Sequence, residues 1–584
     1  MSLEPLRNPI GFGPPDFLEL ALAVAFVLLF ATWKRWLAPL VARFAGRTWW
    51  CITMLAASAV LVRMLLLPHH PVPSPDLYDE FGHLLVADTL RHWRLANPPH
   101  EFSRFFETFF VLQTPSYSAI YPIGNGLLLA LGWTLTGTPW AGVLAASALF
   151  CGLSYWMLRA WISPGWALLG GTLAVMLFGP LNQWTNTYWG GALPAAAGCL
   201  AFGSLPRLVA SPRVRYGVTL GLGLAIHMLT RPYETVFLAL AVLSYMGFVA
   251  RPRRLPIRPL AAAALLVILS LGVTALQNKQ VTGSWTTLPY SLSQSQYGVP
   301  AALTFQADPA PHRELTPQQQ ADYRMQSGFL GGRETLGSFF QRLVFRLRYY
   351  RFYFYPPMYL AVIGFVLSVL RAREPRWVWV LSSCVLFALG VNFFPAFQFH
   401  YLAGVVCLFL LMTVKGLEHI SKLRHGQLAA KFLIILAFAQ FGFAFSAHLL
   451  DRGGYDLWTS INHANPERRI EVSTEIASIP GRLVVFVRYW PAHPFQDEWV
   501  YNGADIDAQR VVWARDLGDE ENQKLLAYYR NRTAMLLEPD ARPPQLSHWA
   551  PEPVAPVEQA PVEQAPTPTT GPQKKPLLIL EQVR

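Results

Sequence analysis

The sequence predicts a mainly α-helical, polytopic transmembrane bundle of about 12 spans, followed by a small extracytoplasmic α/β domain near the C-terminal end. Three observations lead there. Of the 584 residues, 53% are hydrophobic and only 14% charged, too apolar a balance for an ordinary soluble chain. Apolar runs of about 17 to 21 residues recur from Phe17 to Leu450, each long enough to cross roughly 30 Å of hydrocarbon as a helix. The basic residues gather in the short connections between those runs, as in membrane proteins that obey the positive-inside tendency. Inside the hydrocarbon layer every backbone polar group needs an internal partner, so the runs must be helical.

The basic connections set the threading. Lys34, Arg35, Arg43 and Arg47 mark the first cytoplasmic loop, and Arg207, Arg213 and Arg215 the next. Arg251, Arg253, Arg254 and Arg258 follow, then Arg371, Arg373 and Arg376, then Lys415, Lys422, Arg424 and Lys431. The expected crossings are 17–33, 49–67, 140–160, 165–181, 189–206, 214–231, 232–250, 257–276, 355–371, 377–395, 400–416 and 430–450, with both termini outward. The N-terminal stretch lacks the basic flank and cleavage site of a signal peptide, so 17–33 is expected to stay. Pro122–Gly137 is too short to cross and reads as a re-entrant or surface-lying helix.

Three outward regions result: the loops 69–139 and 277–354 within a membrane domain of residues 1–450, and the tail. Both loops are longer than connection requires, which points to function. Residues 451–545 read as an α/β unit: helix 467–477, strands 482–489 and 510–514, helix 520–530, strand 534–538. Residues 546–584 repeat Ala-Pro-Val-Glu-Gln among many prolines and are expected to form a disordered tether.

The net charge of +12 does not indicate nucleic acid, because the basic residues sit in loops and the tail mixes both signs. Cys51, Cys151, Cys199, Cys384 and Cys407 lie within or at the ends of apolar runs and are expected to be buried small hydrophobes.

Between Glu107 and Asp308 the only carboxylate is Glu234. Ion-coupled transporters place carboxylates near the midplane. Here Asp76, Asp79, Glu80, Asp88, Glu101 and Glu107 crowd the first outward loop, which favours chemistry at the outer surface. A helix over 79–93 places Asp79 and His83 on one face, with Leu84 and Leu85 turned toward lipid. A carboxylate at the water–lipid boundary is partly desolvated, hence a stronger base for an acceptor hydroxyl or a ligand for a divalent cation. The alternative is a helix cap by Asp76 or Asp79.

Arg342 and Arg346, with Arg348 and Arg351, fall on the outward side against the positive-inside tendency. Guanidinium forks at i and i+4 suit the phosphate of a lipid entering from the outer leaflet, or simple headgroup binding. At the same level, Arg231 and Glu234 read as an internal ion pair or substrate contacts, and His400 and Tyr401 as an interfacial belt or ligand contacts. The turn Asn186–Gly191 could stack on a sugar or simply anchor the interface.

These words together resemble the GT-C glycosyltransferases, nearest to the bacterial family-39-like relatives of protein O-mannosyltransferases and aminoarabinose transferases. The resemblance rests on Asp79-Glu80-Phe81, Ala87-Asp88-Thr89-Leu90, Arg94 to His100, Tyr121-Pro122 with Gly124, Tyr188-Trp189-Gly190-Gly191, Arg231-Pro232-Tyr233-Glu234, Thr282-Gly283-Ser284 and His400-Tyr401, and covers most of 70–415. It implies transfer of a hexose or pentose from a polyprenyl-phosphate donor to a lipid, glycan or protein hydroxyl, on the outer face of a plasma (bacterial inner) membrane. It makes Asp79 the catalytic base or metal ligand, with Glu80 beside it. Rival readings are a lipid or glycan flippase and a non-catalytic envelope scaffold.

Overall fold

The computed structural model describes residues 14–30, 43–75, 77–251, 256–298, 303–307, 310–315, 319–321, 323–324, 334–395, 397–450, 466–491, 493 and 497–551. Asp76, Lys34, Arg35, Arg253, Arg254 and nearly all of the proline-rich stretch lie outside them.

A helix lies over each of the twelve expected crossings. In chain order, α1 (Pro14–Phe30) and α2 (Thr48–Met64) precede α3 (Tyr78–Arg91) and α4 (Ile123–Thr136). Next come α5 (Trp140–Leu158), α6 (Pro164–Phe178), α7 (Ala192–Ala210) and α8 (Val214–Thr230). Then follow α9 (Pro232–Ser244, prolonged to Ala250), α10 (Ile257–Thr282), α11 (Pro289–Tyr297) and α12 (Leu336–Arg346). The bundle ends with α13 (Met358–Ala372), α14 (Pro375–Val391), α15 (Val406–Ser421) and α16 (Gly426–Leu449). Among the described residues, six helices are long and apolar enough to cross a membrane. A seventh span results if Leu336–Tyr353 and Met358–Ala372, bent by 114°, count as one.

Small residues let these helices close on one another where side chains cannot supply the usual driving force. A Cβ on Gly198 of α7 would stand 2.1 Å from the Gly404 carbonyl oxygen, and one on Gly217 of α8 would stand 2.0 Å from that of Pro259. All five cysteines are free and buried in the bundle, as expected.

α4 has 14 residues, about 21 Å at 1.5 Å per residue, so it falls short of the bilayer. It exposes Leu127, Leu131 and Leu135 along one stripe and packs the other against α3 and α5, the behaviour of a surface-lying helix. α12 is likewise amphipathic. Leu336, Phe340 and Val344 are exposed, whereas Arg346 is 3% exposed and faces the protein.

The C-terminal unit follows the expected order, with α17 (Pro466–Ser478), β3 (Leu483–Val487), β4 (Val511–Arg515), α18 (Asp519–Tyr528) and β5 (Thr533–Glu538). A short ribbon in the first loop pairs β1 (Val111–Leu112) with β2 (Ser118–Ala119). The main sheet has the order β4-β3-β5-β6. β3 is parallel to both β4 and β5, and its buried run Leu-Val-Val-Phe-Val is what a central parallel strand requires. The sheet runs past the expected boundary at 545: β6 (Gln545–His548) adds antiparallel to β5. Its mostly polar, exposed residues gave no apolar signal.

The expectation that Leu84 and Leu85 face lipid is not met. Both are buried, because α3 lies between two cores. Leu84 packs with Leu129, Ala130 and Trp140 of α4 and α5. Leu85 and Val86 join Val484, Phe486 and Val512 of the sheet. The first loop and the C-terminal unit therefore share a hydrophobic core. Polar clasps reinforce it: Asp88 accepts from the Ala504 amide at 2.8 Å, and the Tyr117 hydroxyl donates to the Asn502 carbonyl at 3.0 Å.

Candidate active site

The site begins with the first turn of α3. Leu77 is extended and caps the helix, and Glu80 three residues on accepts the Leu77 amide at 3.3 Å. Acidic Asp79 and Glu80 in the first turn and Arg91 in the last both suit the helix dipole. The cap is thus Leu77 with Glu80, not Asp79, and Asp79 is left to act elsewhere.

Glu80 is fully buried, and its second oxygen accepts the Tyr188 amide at 2.9 Å. The Tyr188 carbonyl in turn accepts from the Asn125 side chain at 2.9 Å. The Tyr188 peptide is therefore held from both sides. Gly190 and Gly191 follow at φ +92° and +125°, a backbone open to glycine. This turn places Trp189 where it favours the ionised form of Asp79.

Asp79 is 8% exposed. One oxygen accepts from the Tyr121 hydroxyl. Gly82 makes that approach possible: a Cβ there would fall 2.4 Å from the Tyr121 ring. The ring also lies over His83 with centroids 4.2 Å apart, so Asp79, His83 and Tyr121 form one group, as the i, i+4 spacing predicts. Burial raises the Asp79 pKa to about 7, while Tyr121, Arg231 and Trp189 favour its ionised form and Glu80 opposes it. Burial and Arg231 lower the His83 pKa to about 3, so His83 stays neutral.

Arg231 is the cation that Asp79 feels. It sits at the junction of α8 and α9, pairs loosely with Glu234 at 3.8 Å and lies over the Tyr401 ring at 5.0 Å. The His400 ring meets Trp189 edge-on at 5.2 Å. Asp79, Glu80, His83, Arg231, Glu234, His400 and Tyr401 thus gather at one end of the bundle.

Arg342 and Arg346 are committed elsewhere. Arg342 pairs with Glu334 at 2.9 Å and donates to the Asn392 carbonyl at 2.8 Å. Arg346 donates to the Val391 carbonyl at 2.8 Å and to that of Phe394 at 2.6 Å. These are the open carbonyls at and just past the C-terminus of α14, which a cation satisfies well. The expected phosphate-binding arginines hold a helix end instead, because α12 turns its apolar face outward.

Sequence reasoning missed Tyr121 and Trp189 as members of the site. Tyr121 and Trp189 stood in quoted words, Tyr121-Pro122 and Tyr-Trp-Gly-Gly, but nothing in their spacing joined them to Asp79. For a divalent metal the donor set does not fit: Glu80 has both oxygens on backbone amides, and Arg231 provides positive charge instead. Among the described residues no three His, Cys, Asp or Glu side chains come together as ligands.

No family model matches the sequence, and no curated protein does. Among solved structures the chain is similar to ArnT from Cupriavidus metallidurans in the apo state, with a TM-score of 0.48 and 13% identity over 85% of this chain and 93% of that one. The same protein bound to undecaprenyl phosphate gives a TM-score of 0.48 and 11% identity over 83% and 92%. The oligosaccharyltransferase of Archaeoglobus fulgidus in complex with Zn and sulfate gives a TM-score of 0.45 and 14% identity over 84% and 67%.

Proposed function

We propose that this chain is a membrane glycosyltransferase that moves a sugar from a polyprenyl-phosphate donor to an acceptor hydroxyl at the outer face, with Asp79 as base. The observation that carries the reading is a buried carboxylate that accepts from the Tyr121 hydroxyl and feels the positive charge of Arg231. A base needs a pKa near the working pH, and burial supplies that for Asp79.

The outer-face assignment is supported by charge. The connections carrying Arg43 and Arg47, Arg213 and Arg215, Arg371 to Arg376, and Lys422 and Arg424 join helix ends remote from Asp79. By the positive-inside tendency those ends are cytoplasmic. The donor class follows from the sequence resemblance.

In the reaction, the acceptor O–H gives its proton to Asp79 as the oxygen attacks the anomeric carbon. A C–O bond forms to the acceptor, the bond to the phosphate oxygen breaks, and polyprenyl phosphate leaves with the electron pair. Arg231 stabilises that anion, an electrostatic role that is strong away from water. One displacement inverts the anomeric configuration. Tyr121 and Trp189 orient Asp79, while Glu80 acts as a positioning residue through the Tyr188 peptide. His400 and Tyr401 frame Trp189 and Arg231, and Glu234 partners Arg231.

Asp79→Asn tests this, because the amide keeps the shape but cannot take the proton. In proteoliposomes with polyprenyl-phosphate sugars, transfer should fall by roughly 10²- to 10⁴-fold with the Tm retained. Full transfer by the variant would refute the assignment. Lipid translocation that persists while no transfer is found in the parent protein would mark a flippase.

A further inference from the structure

Resting on that reading, we infer that Arg63 is a positioning residue for the transfer. From inside α2 its guanidinium fixes the turn Asn186–Gly191, and with it Trp189, in place beside Asp79.

Arg63 is the only charged residue in the apolar run 48–67. A charge within a span is costly and is kept where it does something. The side chain is 1% exposed, so its donors must be used inside the protein. Nε donates to the Asn186 side-chain oxygen at 2.6 Å. The two terminal nitrogens donate to the His70 and Pro71 carbonyls, each at 3.0 Å. The guanidinium also lies over the Trp140 ring of α5 at 4.9 Å, and that ring's N–H donates to the Thr185 carbonyl at 2.9 Å. One planar group thus ties the end of α2 to the start of the first loop and to a turn more than a hundred residues on.

The turn is arranged to receive it. The Asn186 amide nitrogen donates to the Pro180 and Asn182 carbonyls at 3.0 and 2.8 Å, which leaves the side-chain oxygen for Arg63. Two residues on, the Tyr188 hydroxyl donates to the Pro73 carbonyl at 2.9 Å, while the Tyr188 amide holds Glu80. The first loop and the turn are therefore joined twice, at Arg63 and again at Tyr188. Trp189 stands immediately beyond the second joint. These three acceptors of Arg63 are uncharged oxygens from separate residues. A planar fork with several fixed donors matches them, and an ammonium on a single stem does not.

Asp79 interacts with Tyr78 and Glu80 beside it, with Tyr121, Arg231, Tyr290 and Tyr401, and with Trp189. Of these, Trp189 is carried by the turn that Arg63 holds, and it favours the carboxylate. Loosening the tie at Arg63 would therefore reach the base through Trp189.

Transfer kinetics of the full chain in proteoliposomes with polyprenyl-phosphate sugars test the proposal through Arg63→Lys. The charge stays and the fork is lost, so kcat should fall roughly 10- to 100-fold while KM for the donor is unchanged. The acidic limb of kcat/KM should move to higher pH, because a displaced Trp189 no longer favours the carboxylate. In a Trp189→Phe background the same substitution should move the limb no further, since both changes act on one link. Asn186→Ala cuts the tie from the other side and should reproduce the loss of kcat and the shift of the limb; it stands in if Arg63→Lys fails to fold. A lowered Tm with the kcat and acidic limb of the parent protein would make Arg63 a structural brace only and overturn the proposal. A limb shift that adds to that of Trp189→Phe, or a raised donor KM at unchanged kcat, would overturn it as well. If Asp79→Asn abolishes transfer while Arg63→Lys behaves as the parent does, the positioning role falls and the transferase stands. If Asp79→Asn transfers normally, the transferase falls and this role with it.

Discussion

Asp79 and Arg346 are both buried ionisable side chains at the same end of the bundle, yet the protein treats their charge differently. Arg346 gives its guanidinium to carbonyl oxygens at 2.8 and 2.6 Å, at and beyond the end of α14. Its donors are used, and they complete a helix that would otherwise end on open acceptors. Asp79 receives the Tyr121 hydroxyl, and burial still outweighs the neighbours that favour its ionised form, since its pKa stays raised to about 7. The difference teaches where chemistry can reside. A buried charge that its neighbours satisfy holds structure together, whereas one left partly compensated can exchange a proton.

The comparison can be broken by substitution. Arg346→Ala would leave the Val391 and Phe394 carbonyls without their donor, a loss of about 3 kcal/mol in stability. The Tm in detergent should fall, while folded protein binds polyprenyl phosphate as before; weakened binding at an unchanged Tm would make Arg346 a ligand contact. Arg231→Lys is expected to do the reverse. It keeps a charge for Glu234 but loses the planar fork, so polyprenyl phosphate should bind about tenfold more weakly at an unchanged Tm. Unaltered affinity would return the donor phosphate to other residues.

The third test concerns pH. A base with a raised pKa is ionised only above it, so transfer should rise with pH through about 7 and fall away as Asp79 is protonated below that value. Tyr121→Phe removes a hydrogen bond that favours the carboxylate, so the acidic limb of kcat/KM should move to higher pH. A limb that stays in place would detach Asp79 from the proton transfer.

Much of the fold was legible in the chain. Helices lie over the twelve apolar runs, because the period of a helix is a local property, though among the described residues only six, or seven with the bent pair, are long and apolar enough to cross. The strands of the C-terminal unit were legible for the same reason, apart from β6, whose exposed polar residues carry no pattern. Asp79 stood out as part of the acidic cluster that precedes a long stretch nearly free of carboxylates. Tyr121 could not be found this way, since its tie to Asp79 spans 42 residues and depends on the absence of a side chain at Gly82. Glu80 looked like a second catalytic acid. Its bond to the Tyr188 amide, 108 residues away, makes it a clamp.

The sequence by itself determined the helices, their apolar faces, the gathering of acids before α4 and the basic residues of the short connections, because each depends on residues within a few turns of one another. Only the tertiary structure decided which charges are spent and which remain available. That depends on carbonyls, amides and rings brought in from distant elements, and on how much water their packing removes. The same packing put Leu85 in a shared core instead of against lipid, and turned the arginines of α12 inward.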